Sequence, residues 1–208
     1  MSYEDKVVSK RWGFEHQVYE NEDLVVWFLS INEGQETSLH CHRNKDTGLI
    51  ALEGSGELEY ISSSHKFVAP YKTMIRRGIF HRTKAVGGPL RLFEIETSKD
   101  RNDLIRLSDN YCREHEDYEE GSAVETEKLD LEDEKTHIFC NRKLEVKTIS
   151  SHDCNSLFAN NIIAFLTGGI FTEDGLRILK PGDVVEGIVL KKLAERFVVE
   201  PSKVMTIL

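Results

Sequence analysis

Long hydrophobic runs are missing from this 208-residue chain, although apolar residues make up 39% of it. No stretch approaches the roughly 20 consecutive apolar residues that a membrane-spanning helix needs. The opening MSYEDKVVSKRWG holds no apolar segment of the kind a secretory signal uses. Cysteine is scarce: Cys41, Cys112, Cys140 and Cys154 stand at irregular spacing with no C-x-x-C pair. That spacing excludes a structural zinc finger, and without an export signal it predicts reduced thiols in a cytoplasmic protein. A clustered excess of Lys and Arg is also absent. The phosphates of a nucleic acid would have little to bind, and neither nucleic acid nor membrane is an expected partner.

What charge there is lies in one place. The stretch 114–135 (EHEDYEEGSAVETEKLDLEDEK) carries eleven acidic and two basic side chains, which accounts for the whole net charge of −9. A block of this kind reads as a solvated acidic linker. It divides the chain into 1–113, a larger first domain with a C-terminal tail, and 136–208, a smaller second one. Both are long enough to bury a core.

The first part is a series of short apolar runs. Residues 24–31 (LVVWFLSI), 37–42, 48–52, 56–61, 66–68, 73–75, 81–85 and 90–96 read as strands, separated by Asn-Glu-Gly, Glu-Gly-Ser-Gly, Ser-Ser-Ser and Gly-Gly-Pro turns. Many short strands with little helix between them predict an all-β sandwich or jelly roll. Residues 101–120 change character and read as a short helix or an extended tail. The β pattern resumes at 137–140, 144–149, 162–166, 176–179, 197–199 and 204–207. Periodicity leaves 184–196 open between a strand and one amphipathic helix.

Within this pattern three histidines stand out. His40 and His42 are spaced i, i+2, which on a strand sends both imidazoles to one face and Cys41 to the other. His81, thirty-nine residues on in Gly78-Ile79-Phe80-His81, can converge on them from a second strand. Three neutral imidazoles suit a divalent metal: Zn, Fe, Mn, Co or Ni. Glu94 and Glu96 share one face of the run 90–96 and are candidates for a fourth ligand or a general base. Arg76 shares parity with Gly78 and is a candidate anion binder, whereas Arg82 and Lys84 point away from His81. The second part has only His137 and His152 and no H-x-H pair. His16, His65 and His115 read as turn or linker residues.

Gly34, His40-Cys41-His42 and Gly54, followed by Gly78 and His81, resemble the two motifs of the cupin superfamily. Thr47 stands where the first motif has its glutamate, and Ala85 where the second has its asparagine. A narrower likeness runs across 10–113. Lys10-Arg11-Trp12-Gly13, Ser38-Leu39-His40-Cys41-His42 and the run from Asn102-Asp103 to Arg113 are similar to the cupin part of type II mannose-6-phosphate isomerases. Trp12, Gly13, Asp103, Ile105, Arg106, Asp109, Tyr111 and Arg113 match position by position.

The resemblance implies an all-β fold, a double-stranded β-helix (cupin jelly roll) built as two cupin-like barrels, the second degenerate. It implies a homodimer and a small-molecule, carbohydrate substrate. The function expected from it is metal-dependent isomerase- or epimerase-like action on a sugar or sugar phosphate, serving cell-surface carbohydrate biosynthesis. In that reading His40, His42 and His81 hold the metal, and Glu94, Glu96 and Arg106 carry catalysis. Arg76, Arg113 and Thr47 contact substrate. Two other classes fit the same histidines: a three-histidine non-haem iron dioxygenase, with an apolar pocket, and a non-catalytic carbohydrate-binding cupin.

Overall fold

A computed structural model describes residues 7–97, 99–100, 102–111 and 129–208. The first half is a double-stranded β-helix made of two facing antiparallel sheets. One sheet runs in the order β1 (Val8–Lys10), β2 (Gly13–Glu20), β3 (Val25–Ile31), β10 (Leu90–Glu96), β5 (Thr47–Glu53), β8 (Tyr71–Ile75). The other runs β11 (Ile105–Ser108), β4 (Leu39–Cys41), β9 (His81–Ala85), β6 (Ser55–Tyr60), β7 (Ser64–Val68). Consecutive strands lie in different sheets wherever the chain wraps around the barrel.

Strand alternation explains the core. On β3, Val25, Trp27, Leu29 and Ile31 point into the barrel, where they pack with Leu49, Ala51, Leu58, Leu90 and Leu92. The intervening Val26 and Phe28 point out and are equally buried. This is why 24–31 reads as an unbroken apolar run: both faces of the strand are covered.

The cover is the second half. Its five-stranded sheet runs β12 (Thr136–Phe139), β13 (Arg142–Ile149), β19 (Ser202–Ile207), β14 (Ile162–Phe165), β17 (Val184–Glu186). Leu144, Val146, Ile162, Ala164, Met205 and Ile207 from this sheet form one cluster with Val26, Phe28, Ile50, Leu52, Phe93 and Ile95 from the outer face of the barrel. Each large side chain so buried contributes roughly 1.5–3 kcal/mol, so the two halves stabilise each other. A three-stranded sheet, β16 (Arg177–Leu179), β15 (Ile170–Phe171) and β18 (Val198–Val199), completes the half with one helix, α1 (Gly187–Ala194).

Several details depart from the expectations. The ambiguous stretch 184–196 is both things in turn, strand β17 followed directly by α1. In the tail at 101–120, residues 105–108 form β11, which pairs with β4 and closes that sheet's edge. The acidic linker does not stay in solvent throughout: Leu129 and Leu131 are buried in the shared core, and residues 112–128 lie outside the described residues. His16 is no turn residue. It lies within β2, fully buried, and its Nε2 accepts the N–H of Leu129 at 3.1 Å. Cys41 is buried on the strand face opposite its neighbouring histidines, and burial raises its thiol pKa.

Candidate metal centre

The three histidines meet at one end of the barrel. His40 on β4 is the direct cross-strand partner of His81 on β9, which places both imidazoles side by side on one face. Ring centroids are 4.6 Å apart for His40 and His81, 5.1 Å for His40 and His42, and 6.0 Å for His42 and His81. One nitrogen from each ring lies within 4.8 Å of the other two.

Each ring is oriented by the backbone. His40 Nδ1 is 2.8 Å from the Ser38 carbonyl and His81 Nδ1 is 3.0 Å from the Ile79 carbonyl. His42 Nδ1 is hydrogen-bonded to the carbonyl of Asp103, sixty-one residues away. A carbonyl can only accept, so each Nδ1 carries the proton and each Nε2 presents a lone pair. The Nε2 atoms of His42 and His81 are buried with no hydrogen-bond partner. On His40 and His81 burial disfavours a second proton near neutrality. Burial lowers His81 to about 4, and burial followed by the charges of His81 and His42 holds His40 well below its ordinary value. Buried polar atoms without a partner are costly, and three convergent imidazole lone pairs are what a divalent ion takes. The residues present fit a metal.

Asp103 also holds the loop after His42. Its carboxylate accepts the N–H of Arg43 at 2.9 Å and that of Asn44 at 2.8 Å. The chain segment 102–111 therefore straps across the barrel, orienting His42 at one point and bringing Leu104 and Arg106 to the cavity.

Glu94 and Glu96 lie on the inward face of β10, in phase with Leu90 and Leu92. Glu96 Oε1 is 3.6 Å from His42 Nε2, and His42, Glu94 and Glu96 form a second group whose oxygens and nitrogen lie within 4.8 Å of one another. Among the described residues these two groups, which share His42, are the ones with metal-ligand spacing. Burial, then the charges of Glu96 and Glu15, raise the Glu94 carboxyl well above the usual carboxylate range.

The cavity beside these groups has a volume of about 100 Å³. That is far more than the roughly 10–15 Å³ that one water requires. Its lining combines aromatic and aliphatic side chains (Trp12, Trp27, Leu29, Leu104) with charged ones (Lys10, Glu15, Lys45, Arg106). Lys45 is almost fully buried, its Nζ 3.0 Å from Glu96 Oε2, and Lys10 pairs with Glu15 at 3.2 Å. Sequence reasoning missed both lysines and the cavity role of Trp12 and Trp27. Lys45 had no signal, since a Lys in an Asn-Lys-Asp turn is ordinarily solvated.

The remaining candidates are placed as follows. Arg106 lines the cavity, cross-strand from His40. Thr47 is fully buried on the inward face of β5, its Oγ1 without a hydrogen-bond partner, but it is not among the residues lining the cavity. Arg76 is bound to Asp46 at 3.3 Å and Asp183 at 2.9 Å and is not among the residues lining the cavity. Residues 76–80 have left β8 for a turn, so strand parity with Gly78 does not apply. Arg82 faces away from the site and pairs with Glu36 and with Glu59. Arg113 lies outside the described residues.

The sequence matches no protein-family model and no curated protein. Solved structures with a similar fold include the capsular polysaccharide assembling protein CapF from Staphylococcus aureus, at 13% identity and a TM-score of 0.44, covering 49% of this chain and 33% of that one. KdgF from Halomonas sp. matches at 16% identity and a TM-score of 0.39, covering 42% of this chain and 80% of that one. A cupin-2 domain containing protein from Shewanella frigidimarina matches at 19% identity and a TM-score of 0.38, covering 43% and 84%. The chain spans about a third of the length of CapF.

Proposed function

We propose that this chain is a metal-dependent cupin acting on a sugar or sugar phosphate by isomerase- or epimerase-like chemistry. One observation carries the reading: three backbone-oriented imidazoles present convergent Nε2 lone pairs with Glu96 and Glu94 beside them, and His40, His42 and both glutamates line a cavity that also holds two tryptophans and four further charged side chains. His40, His42 and His81 would hold the ion, with Glu96 as the nearest carboxylate. When bound, a divalent ion supplies Lewis acidity to a carbonyl or hydroxyl oxygen of the substrate.

The chain's own groups do the rest. Trp12 and Trp27 offer flat apolar faces to a sugar ring, an amphipathic fit. Lys45, Lys10 and Arg106 set positive charge around the hydroxyls or phosphate. Burial and its acidic neighbours disfavour the charged form of Glu94 and raise its carboxyl above the usual range. Glu96 pairs with Lys45 at 3.0 Å. Two carboxyls on one strand face, in unlike surroundings, can give and take the protons that an isomerisation moves. The four charged side chains on the wall argue against the apolar pocket expected of an iron dioxygenase.

The test is metal analysis of protein purified without added metal, comparing the parent with His42→Ala, followed by a sugar-phosphate panel scored by NMR. Stoichiometric metal in the parent and its loss in the variant are expected. A metal-free parent sinks the enzyme reading; sugar binding that survives chelation would replace it with a carbohydrate-binding module.

A further inference from the structure

Among the described residues of the second half, the turn at 180–183 packs against the segments that flank the site. Lys180 and Arg76 both pair with Oδ2 of Asp46, and Arg76 also reaches Asp183. Asp46 Oδ1 accepts the N–H of Arg77 at 3.0 Å, and Asp183 Oδ2 accepts that of Lys180 at 3.0 Å, closing the turn. Asp46 and Asp183 are 4% and 3% exposed. Carboxylates so deeply buried persist only when charge and hydrogen bonds compensate them.

Asp46 is in turn locked to the end of β10. Its N–H donates to Thr97 Oγ1 at 3.0 Å, and the Thr97 N–H donates to the Asp46 carbonyl at 3.2 Å. Gly182 is pressed against that same threonine. A Cβ there would lie 2.0 Å from Thr97 Cγ2, and its φ of +87° also favours glycine. Gly48, one residue into β5 from Thr47, has no room either: a Cβ would meet Val184 Cγ2 at 2.7 Å and the Gly182 carbonyl at 3.0 Å. The neighbours of the clamped pair, Lys45 beside Asp46 and Glu96 beside Thr97, line the cavity and pair with each other.

We propose that the 180–183 turn is a positioning element for the metal centre: by holding Asp46 and Thr97 it sets Lys45 and Glu96 against His42. The second half then completes the site without contributing a ligand. The inference rests on the metal reading above. Lys180, Gly182 and Asp183 are positioning residues, since none touches the cavity.

The experiment uses the full-length chain loaded with Co(II), reading affinity by chelator competition and ligand geometry by the visible d–d spectrum. Lys180→Met and Gly182→Ala are compared with Lys180→Arg, which keeps a cation on Asp46, and with Ile163→Val, a core change in the same half. Lys180→Met and Gly182→Ala are expected to weaken Co(II) binding about tenfold or more, the usual effect of removing support behind a ligand, and to shift the spectrum. Lys180→Arg should restore both. Ile163→Val should lower the melting temperature and leave both unchanged. Parental affinity and spectrum in Lys180→Met and Gly182→Ala would overturn the proposal while leaving the metal reading intact. A parent that binds no Co(II) would overturn the metal reading itself.

Discussion

Glu96 on β10 stands directly across from Thr47 on β5 in the antiparallel register of the two strands. Directly opposed residues send their side chains to the same face. The position where the cupin resemblance expects an acid thus lies beside one that has it, and Glu96 Oε1 reaches to 3.6 Å from His42 Nε2. Glu96 offers a carboxylate one strand over on the same barrel face.

That relationship sets the first prediction. Glu96→Gln should weaken divalent-metal binding by about 10- to 100-fold, measured by competition with a chromogenic chelator. Adding Thr47→Glu to that variant returns a carboxylate to the same face and should recover part of the loss. Equal affinities in Glu96→Gln and the parent would mean that the three histidines bind alone.

The shared core makes the second. Phe93 is fully buried in the cluster that joins both halves, and Phe93→Ala should cost about 3–5 kcal/mol. Both tryptophans, Trp12 and Trp27, lie in the first half, whereas circular dichroism sees strands in both. Urea transitions followed by the two signals should coincide in the parent and shift together in the variant. Separated midpoints would show that the halves unfold independently.

Acid stability gives the third. Glu145 is held by Lys143 at 2.5 Å and Lys147 at 3.1 Å, and these hydrogen bonds lower its carboxyl to about 2 against an opposing effect of burial. A carboxyl whose folded pKa lies below its unfolded value contributes fully above the unfolded value. That contribution is lost as pH falls from about 4.5 through the folded pKa. After solvent screening it amounts to about 1 kcal/mol. Urea titrations at pH 6 and pH 3 should therefore differ less for Glu145→Gln than for the parent. An unchanged difference would place the acid sensitivity elsewhere.

Much of the site was legible before any coordinates. The i, i+2 spacing of His40 and His42 needs only a strand to put both rings on one face, and the same period put Glu94 and Glu96 together. Arg76 was placed by contacts that its neighbours along the chain do not show. Residue 76 is one past the end of β8, as His42 is one past β4, but its guanidinium is taken by Asp46 and Asp183. Lys45 was invisible because its burial depends on Glu96, fifty-one residues away.

Alternation, turn residues and histidine spacing are properties of neighbours along the chain, and they sufficed for an all-β barrel with two imidazoles on its strands and a third just past the end of β4. What lay beyond them was every relation between distant segments. Whether the Glu94–Glu96 face turned inward, which carbonyl orients His42, and where the second half rests were decided by packing. Local chemistry chooses which side chains share a face. Only the burial of both faces of the barrel's first sheet chooses what that face meets.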